Sequence, residues 1–151
     1  MAVSVIVSHS AEETFQSGKE FASRLGSGDV VALFGPLGGG KTTFVKGVAA
    51  GLKAKEAVTS PTFVLLNVYS LDKIRDKSGK IQIYHFDFYR LEQTSQLEAL
   101  NLEDYLYGNG ICLIEWPELA LPLLDRLFFK VRFEISGENE RKITIETPGK
   151  N

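Results

Sequence analysis

Cysteine is nearly missing. Cys112 is the single one in 151 residues, so no internal disulfide can form. Its neighbours Ile111, Leu113 and Ile114 predict a buried structural thiol rather than a nucleophile. No apolar run approaches membrane-spanning length, and the start of the chain lacks the basic and apolar regions of a secretion signal. The expected location is therefore the cytoplasm, with no membrane partner. An excess of positive charge is lacking as well. The net charge of −2 argues against a broadly basic nucleic-acid-binding surface. Repeats, linkers and low-complexity tracts are also absent. What remains is ordinary for a globular chain, with 44% hydrophobic and 24% charged residues, and the length predicts one domain over residues 1–151.

Against that plain background stands Gly35-Pro36-Leu37-Gly38-Gly39-Gly40-Lys41-Thr42-Thr43, which fits the phosphate-binding pattern G-x-x-x-x-G-K-[ST]. Glycines let backbone N–H groups turn inward against phosphate oxygens. Lys41 reaches the β- and γ-phosphates as a point charge, and the Thr42 hydroxyl is placed to ligate Mg²⁺. Residues 30–34 before the loop are a short apolar run suited to a buried strand. After it, Phe44, Val45, Val48, Ala49 and Leu52 recur on one helix face. Strand, glycine loop and helix are the context this pattern requires, with the helix dipole aimed at the phosphates. A nucleotide site is expected.

Residues 3–7 read as a first strand. Ser10 and Glu13 form a capping box for a helix whose apolar side carries Phe15, Gly18, Ala22 and Leu25. Downstream, residues 58–63 hold Thr59, Ser60 and Thr62 around Pro61, a loop entering a strand. It is either a turn with local hydroxyl bonds or a segment that senses a γ-phosphate. Residues 64–71 and 81–88 predict a hairpin joined by 72–80, where Lys73, Arg75, Lys77 and Lys80 make a basic tip. On its second strand, His85, Asp87 and Tyr89 fall on the same face as Ile81 and Ile83. Three polar groups in register suggest a site.

Ser95 and Glu98 predict another helix start, with Leu97 and Leu100 inward and a further turn at 102–106. Residues 111–114 are apolar and end on Glu115, the arrangement in which a buried strand delivers a carboxylate beside the loop threonine and Mg²⁺. Trp116 serves as core packing or a stacking platform, and Pro117 opens a short helix. Phe129, Val131, Phe133 and Ile135, then Ile143 and Ile145, form two final strands joined at 137–141.

Four motifs thus stand in order: GPLGGGKTT, SPTF, HFDFYRL and IEWPE. Together, over nearly the whole chain, they closely resemble the TsaE (YjeE) family of small P-loop ATPases. The resemblance implies an α/β fold with a mixed central sheet, hairpins and few flanking helices. It implies that Lys41 and the loop residues Leu37, Gly38, Gly39, Gly40, Thr42 and Thr43 bind ATP, with Thr42 and Glu115 holding Mg²⁺. It assigns the positioning of the attacking water to Asp87, with His85 near it, a switch role to Ser60 and Thr62, and support of the site to Trp116 and Glu118. Thr14 and Arg141 are implied to reach the nucleotide. Members act with TsaD and TsaB, which attach a threonylcarbamoyl group to adenosine in tRNAs reading codons that begin with A, so tRNA is met through that complex. Pro36 and Gly39 depart from the family pattern, which usually has Asp and Ala there. Pro36 loses an N–H, but the later amides build most of the cradle.

Two other readings fit the loop. A small-molecule kinase needs an acceptor pocket and usually an arginine-bearing lid, and no arginine-rich lid is found after the loop helix. A nucleotide-gated binding module differs from a slow ATPase mainly in phosphate release. No obvious arginine finger is present, and such a finger is worth ~10³–10⁵ in rate. Low intrinsic turnover, raised by partners, is the expectation.

Overall fold

The apolar runs on either side of the chain's midpoint become neighbouring parallel strands, β2 (Val30–Phe34) and β5 (Ile111–Glu115). They lie at the centre of a computed structural model that describes residues 2–76, 79–124 and 127–149. Around them stand β1 (Ala2–Ser8), β3 (Leu66–Asp76), β4 (Gly79–Asp87), β6 (Phe129–Ile135) and β7 (Arg141–Thr147). All seven join one sheet in the order β1-β7-β6-β2-β5-β4-β3. β2 runs parallel to β5 and β6, and β4 parallel to β5, while β1–β7, β6–β7 and β3–β4 are antiparallel. The mixed sheet with hairpins at both ends is the expected fold class.

Each face has its own core. Helices α1 (Ala11–Phe21) and α2 (Lys41–Gly51) cover one, where Phe21, Val45 and Val48 pack on Val31, Ile83 and Val131. The other face lies under α3 (Ser95–Ala99), α4 (Leu102–Leu106) and a 3₁₀ segment, Pro117–Leu123. There Leu97, Leu102 and Ala120 meet Phe86, Cys112 and Ile114. Each fully buried large side chain contributes roughly 1.5–3 kcal/mol. The two central strands are buried on both faces, which is why they read as apolar runs rather than alternating ones. Cys112 is buried as expected, with Sγ 3.4 Å from the Tyr105 carbonyl.

Helices α1 and α2 touch through backbone. A Cβ at Gly18 would lie 2.1 Å from the Phe44 carbonyl oxygen, and one at Gly47 would lie 2.0 Å from that of Phe15. A mid-helix glycine normally costs about 0.5–1 kcal/mol relative to alanine, so alanine should stabilise an open site. At Gly47 the clash reverses the sign. Gly47→Ala is expected to lower stability by about 1–3 kcal/mol, the scale of overpacking, as read from the urea midpoint. An unchanged or higher midpoint would contradict the backbone contact.

Local differences from the sequence reading have local causes. The α1 cap is real, with Ser10 Oγ accepting the Glu13 N–H at 3.1 Å, but the Glu13 carboxylate reaches back to the N–H of His9 rather than that of Ser10. Helix α3 starts one residue after Thr94, not after a Ser95 cap; Thr94 Oγ1 instead donates to the Leu119 carbonyl, and Gln96 Oε1 accepts the N–H groups of Glu92 and Gln93. β3 begins at Leu66 rather than at 64, because the Pro61 carbonyl accepts from both Val64 and Leu65 and turns the chain. The β3 and β4 strands extend to Asp76 and from Gly79, past the predicted 72–80 connection. The basic tip expected from Lys73, Arg75 and Lys77 lies outside the described residues and side chains. Among the described residues, no helix is long and apolar enough to cross a membrane.

Candidate functional site

Three parallel strands end at the same edge of the sheet. β2 leads into residues 35–40, while β5 and β4 finish on Glu115 and Asp87, which are register partners. The carboxyl ends of parallel strands are where open α/β sheets gather ligands. The loop, Thr42, Asp87, Glu115 and Trp116 line a cavity of about 240 Å³.

The loop enters α2 through Gly40, whose φ of 102° suits glycine and which caps the helix with no side chain. The first helical N–H groups therefore have no intrahelical partner, and they face the cavity with the positive end of the helix dipole. That combination receives an anion. Lys41 is buried, and its Nζ donates to the carbonyls of Gly35 and Pro36 and lies 3.7 Å above the Trp116 ring. Burial pushes the Lys41 ammonium below its ordinary range, and the charges of Glu115, Asp87 and Glu118 partly offset this. Pro36 is thus used through its carbonyl, which also accepts the Gly39 N–H at 3.1 Å. A Cβ at Gly39 would come within 3.0 Å of that oxygen, so a larger residue there would need the loop to shift.

Thr42 Oγ1 donates to the Glu115 carboxylate at 3.0 and 3.1 Å. Behind it, His85 Nε2 lies 2.6 Å from Glu115 Oε2, and His85 Nδ1 lies 3.0 Å from the Tyr69 hydroxyl. His85, Asp87 and Glu115 are at most 3% exposed, so each depends on such partners. Asp87 accepts the Thr62 hydroxyl on Oδ2 at 2.8 Å and the Tyr89 N–H on Oδ1 at 2.9 Å. Thr62 also meets Ser60 at 2.8 Å.

A hydroxyl and a carboxylate together are hard oxygen donors. Among the described residues, no group of three His, Cys, Asp or Glu side chains forms a metal cage. This donor set fits Mg²⁺, which keeps several waters and takes one or two protein oxygens beside a ligand's phosphates.

A second cavity of about 190 Å³ adjoins the first through Gly38, Gly40 and Thr43, and Thr14 and Arg141 line it. The Thr14 hydroxyl is taken by Ser8 at 2.7 Å, which leaves its methyl group beside Gly40. Arg141 Nε donates to the Gly38 carbonyl at 3.1 Å, tying the loop to the β6–β7 turn. Most of the expected site residues are therefore gathered around two joined cavities. Glu118 is exposed and acts at a distance, through charge on Lys41. Tyr89 leaves the strand face and packs against Trp116 with its ring tilted by 46°, ring centroids 4.8 Å apart. Trp116 itself has a φ of 54°, a strained value for a bulky residue. Sequence reasoning missed Tyr69. The signal was the alternation of Asn67, Tyr69 and Leu71, which the hairpin register sets beside His85.

A family profile described as "Threonylcarbamoyl adenosine biosynthesis protein TsaE" matches residues 8–143. The chain is 37% identical over 139 residues to the tRNA threonylcarbamoyladenosine biosynthesis protein TsaE of Treponema pallidum, covering 92% of this chain and 97% of that one. It is 39% identical to the protein of the same description from Aquifex aeolicus, covering 93% of each chain. The crystal structure of YdiB from Bacillus subtilis superposes with a TM-score of 0.75 at 32% identity, covering 98% of this chain and 87% of that one. With the loop, Asp87 and Glu115 at one sheet edge, and with similarity along nearly its whole length, this chain belongs to the TsaE family.

Proposed function

We propose that this protein binds and hydrolyses ATP with Mg²⁺, slowly on its own, in support of threonylcarbamoyladenosine formation on tRNA by TsaD and TsaB. The observation that carries the reading is the contact of Thr42 with Glu115 at the mouth of an uncapped helix. A polyphosphate there would meet two carboxylates, Asp87 and Glu115, against one lysine. Such a site favours phosphates only with a divalent cation between them.

In this reading the loop amides and Lys41 hold the β- and γ-phosphates, and Lys41 exchanges two carbonyls for phosphate oxygens. Thr42 and Glu115 hold the metal, and His85 orients Glu115. When bound, Mg²⁺ neutralises charge that develops on the phosphates. Asp87 orients the attacking water, and Thr62 with Ser60 links it to the loop ahead of β3. The second cavity takes the nucleoside against Thr14 and Arg141. Two features support slow basal turnover: both Asp87 oxygens already accept hydrogen bonds, and no arginine lines the first cavity among the described residues. A partner that draws Thr62 away would free one oxygen.

Glu115→Gln tests this while keeping the shape and the hydroxyl contact. The ATP affinity gained from magnesium is expected to fall at least about tenfold, while affinity in EDTA stays equal or rises as repulsion is removed. Titration calorimetry in both buffers measures it. Equal losses in magnesium and EDTA would place Glu115 outside the metal shell.

A further inference from the structure

The Tyr69 hydroxyl is buried between two partners on different elements. It donates to the Thr59 carbonyl at 3.1 Å and lies 3.0 Å from His85 Nδ1. Asn67, one step along the same strand face, donates its side-chain amide to the same Thr59 carbonyl and to Thr59 Oγ1. A continuous chain therefore runs from Thr59 through Tyr69, His85 and Glu115 to Thr42. A second chain runs from Ser60 through Thr62 to Asp87. The short segment 59–62 is thus fastened to both carboxylates of the cavity by separate routes.

A neutral imidazole has one N–H, and the short contact with Glu115 engages it at Nε2. If Nδ1 then took the Tyr69 proton, the phenol would give up its bond to the Thr59 carbonyl, which would keep only Asn67. With both ring nitrogens protonated, Nδ1 donates to Tyr69, and Tyr69 donates to Thr59. In both arrangements Nε2 donates to Glu115, and the second, in which the phenol donates to the Thr59 carbonyl as observed, is the one with a hydrogen bond at every link from loop to ring. Burial pushes the phenol's pKa up, which keeps its proton on.

We infer that Tyr69 is a positioning residue that makes the 59–62 segment and the Glu115 carboxylate one mechanical unit. The inference rests on the nucleotide reading for its consequence, since a change at Glu115 on loading would be reported at Thr59 and a pull on the segment would shift Glu115. The connection itself is made by the chain's own residues. It is distinct from the Thr62 route, which serves Asp87.

Tyr69→Phe removes the oxygen and keeps the ring. Without nucleotide, Glu115→Gln is expected to shift the NMR signals of the Thr59 amide and the Asn67 side-chain amide. In the Tyr69→Phe background those shifts are expected to vanish. With nucleotide, Tyr69→Phe is expected to reduce the affinity gained from magnesium by about tenfold, the low end for an outer partner of a metal ligand, with affinity in EDTA within about twofold of wild type. Equal propagation to Thr59 and Asn67 with and without the hydroxyl would overturn the inference. So would an unchanged magnesium gain. A wild-type affinity that is the same in magnesium and EDTA would overturn the metal reading of Glu115 and the functional half of the inference with it. The nucleotide-free comparison separates that failure from failure of the Tyr69 connection.

Discussion

Lys41→Ala is expected to lower ATP turnover by about 10²–10³-fold and Mg²⁺–ATP affinity by at least about tenfold. The first figure is the usual loss when one preorganised donor to developing charge is removed. The charge sits in a cavity where screening is weak, so its contribution exceeds that of a surface lysine. A second effect comes from the contacts the lysine makes within the chain. Lys41 bridges the Gly35 and Pro36 carbonyls and lies against Trp116, so alanine also leaves those carbonyls without their cation. Lys41→Met keeps the stem and removes only the charge, and it should reproduce the loss of turnover with native circular dichroism. Because Trp116 is the single tryptophan of the chain, its emission reports the lysine directly. Wild-type emission should change on addition of Mg²⁺–ATP as the ammonium leaves the ring, and Lys41→Met should start from the altered value. Wild-type binding and turnover in either variant would defeat the phosphate assignment of the loop.

The second large effect is at Asp87. Asp87→Asn is expected to reduce partner-stimulated phosphate release by ~10²-fold or more, with ATP affinity nearly unchanged. The substitution is unusually clean here. The amide oxygen still accepts the Tyr89 N–H, and the NH₂ donates to Thr62, whose hydroxyl reverses its role. What is lost is charge. The assay needs TsaD and TsaB present, since basal release is expected to be slow. If Asp87 braces the metal's waters instead, magnesium-dependent affinity falls along with the rate. Full stimulated turnover by Asp87→Asn would remove it from the mechanism.

The parts of the site that were legible in the sequence are spelled by neighbouring residues. The loop lies wholly within residues 35–43, Glu115 closes its own strand, and the two-residue alternation set His85 and Asp87 on one face. The misses are cases where a distant group outbid a local signal. Ser95 and Glu98 match a capping box, yet Thr94 bonds Leu119, 25 positions away, and the helix start follows it. Val64 has a strand-former's side chain, yet the double acceptance at Pro61 and the Leu65 φ of 70° hold it in a turn. Tyr69 could be placed beside His85 only with the hairpin register, which depends on the length and irregularity of the connection between Leu71 and Arg75. The strand order joining β6 and β7 to the edge of β2 is equally non-local, and no short window of sequence encodes it.

The backbone contact at Gly18 and Gly47 sets a ruler. With no layer of side chains between them, α1 and α2 cannot slide independently, and each begins at one of the two cavities. The span from Thr14 to Thr42 is therefore set by the packing of the two helices. Under the proposed nucleotide reading, a ligand spanning both cavities would have to match that length, and a shorter one would leave one end of the gauge empty. By contrast, Trp116 and the 59–62 segment are held by side chains, Lys41 and Tyr89 for the first and Asn67, Tyr69 and Asp87 for the second.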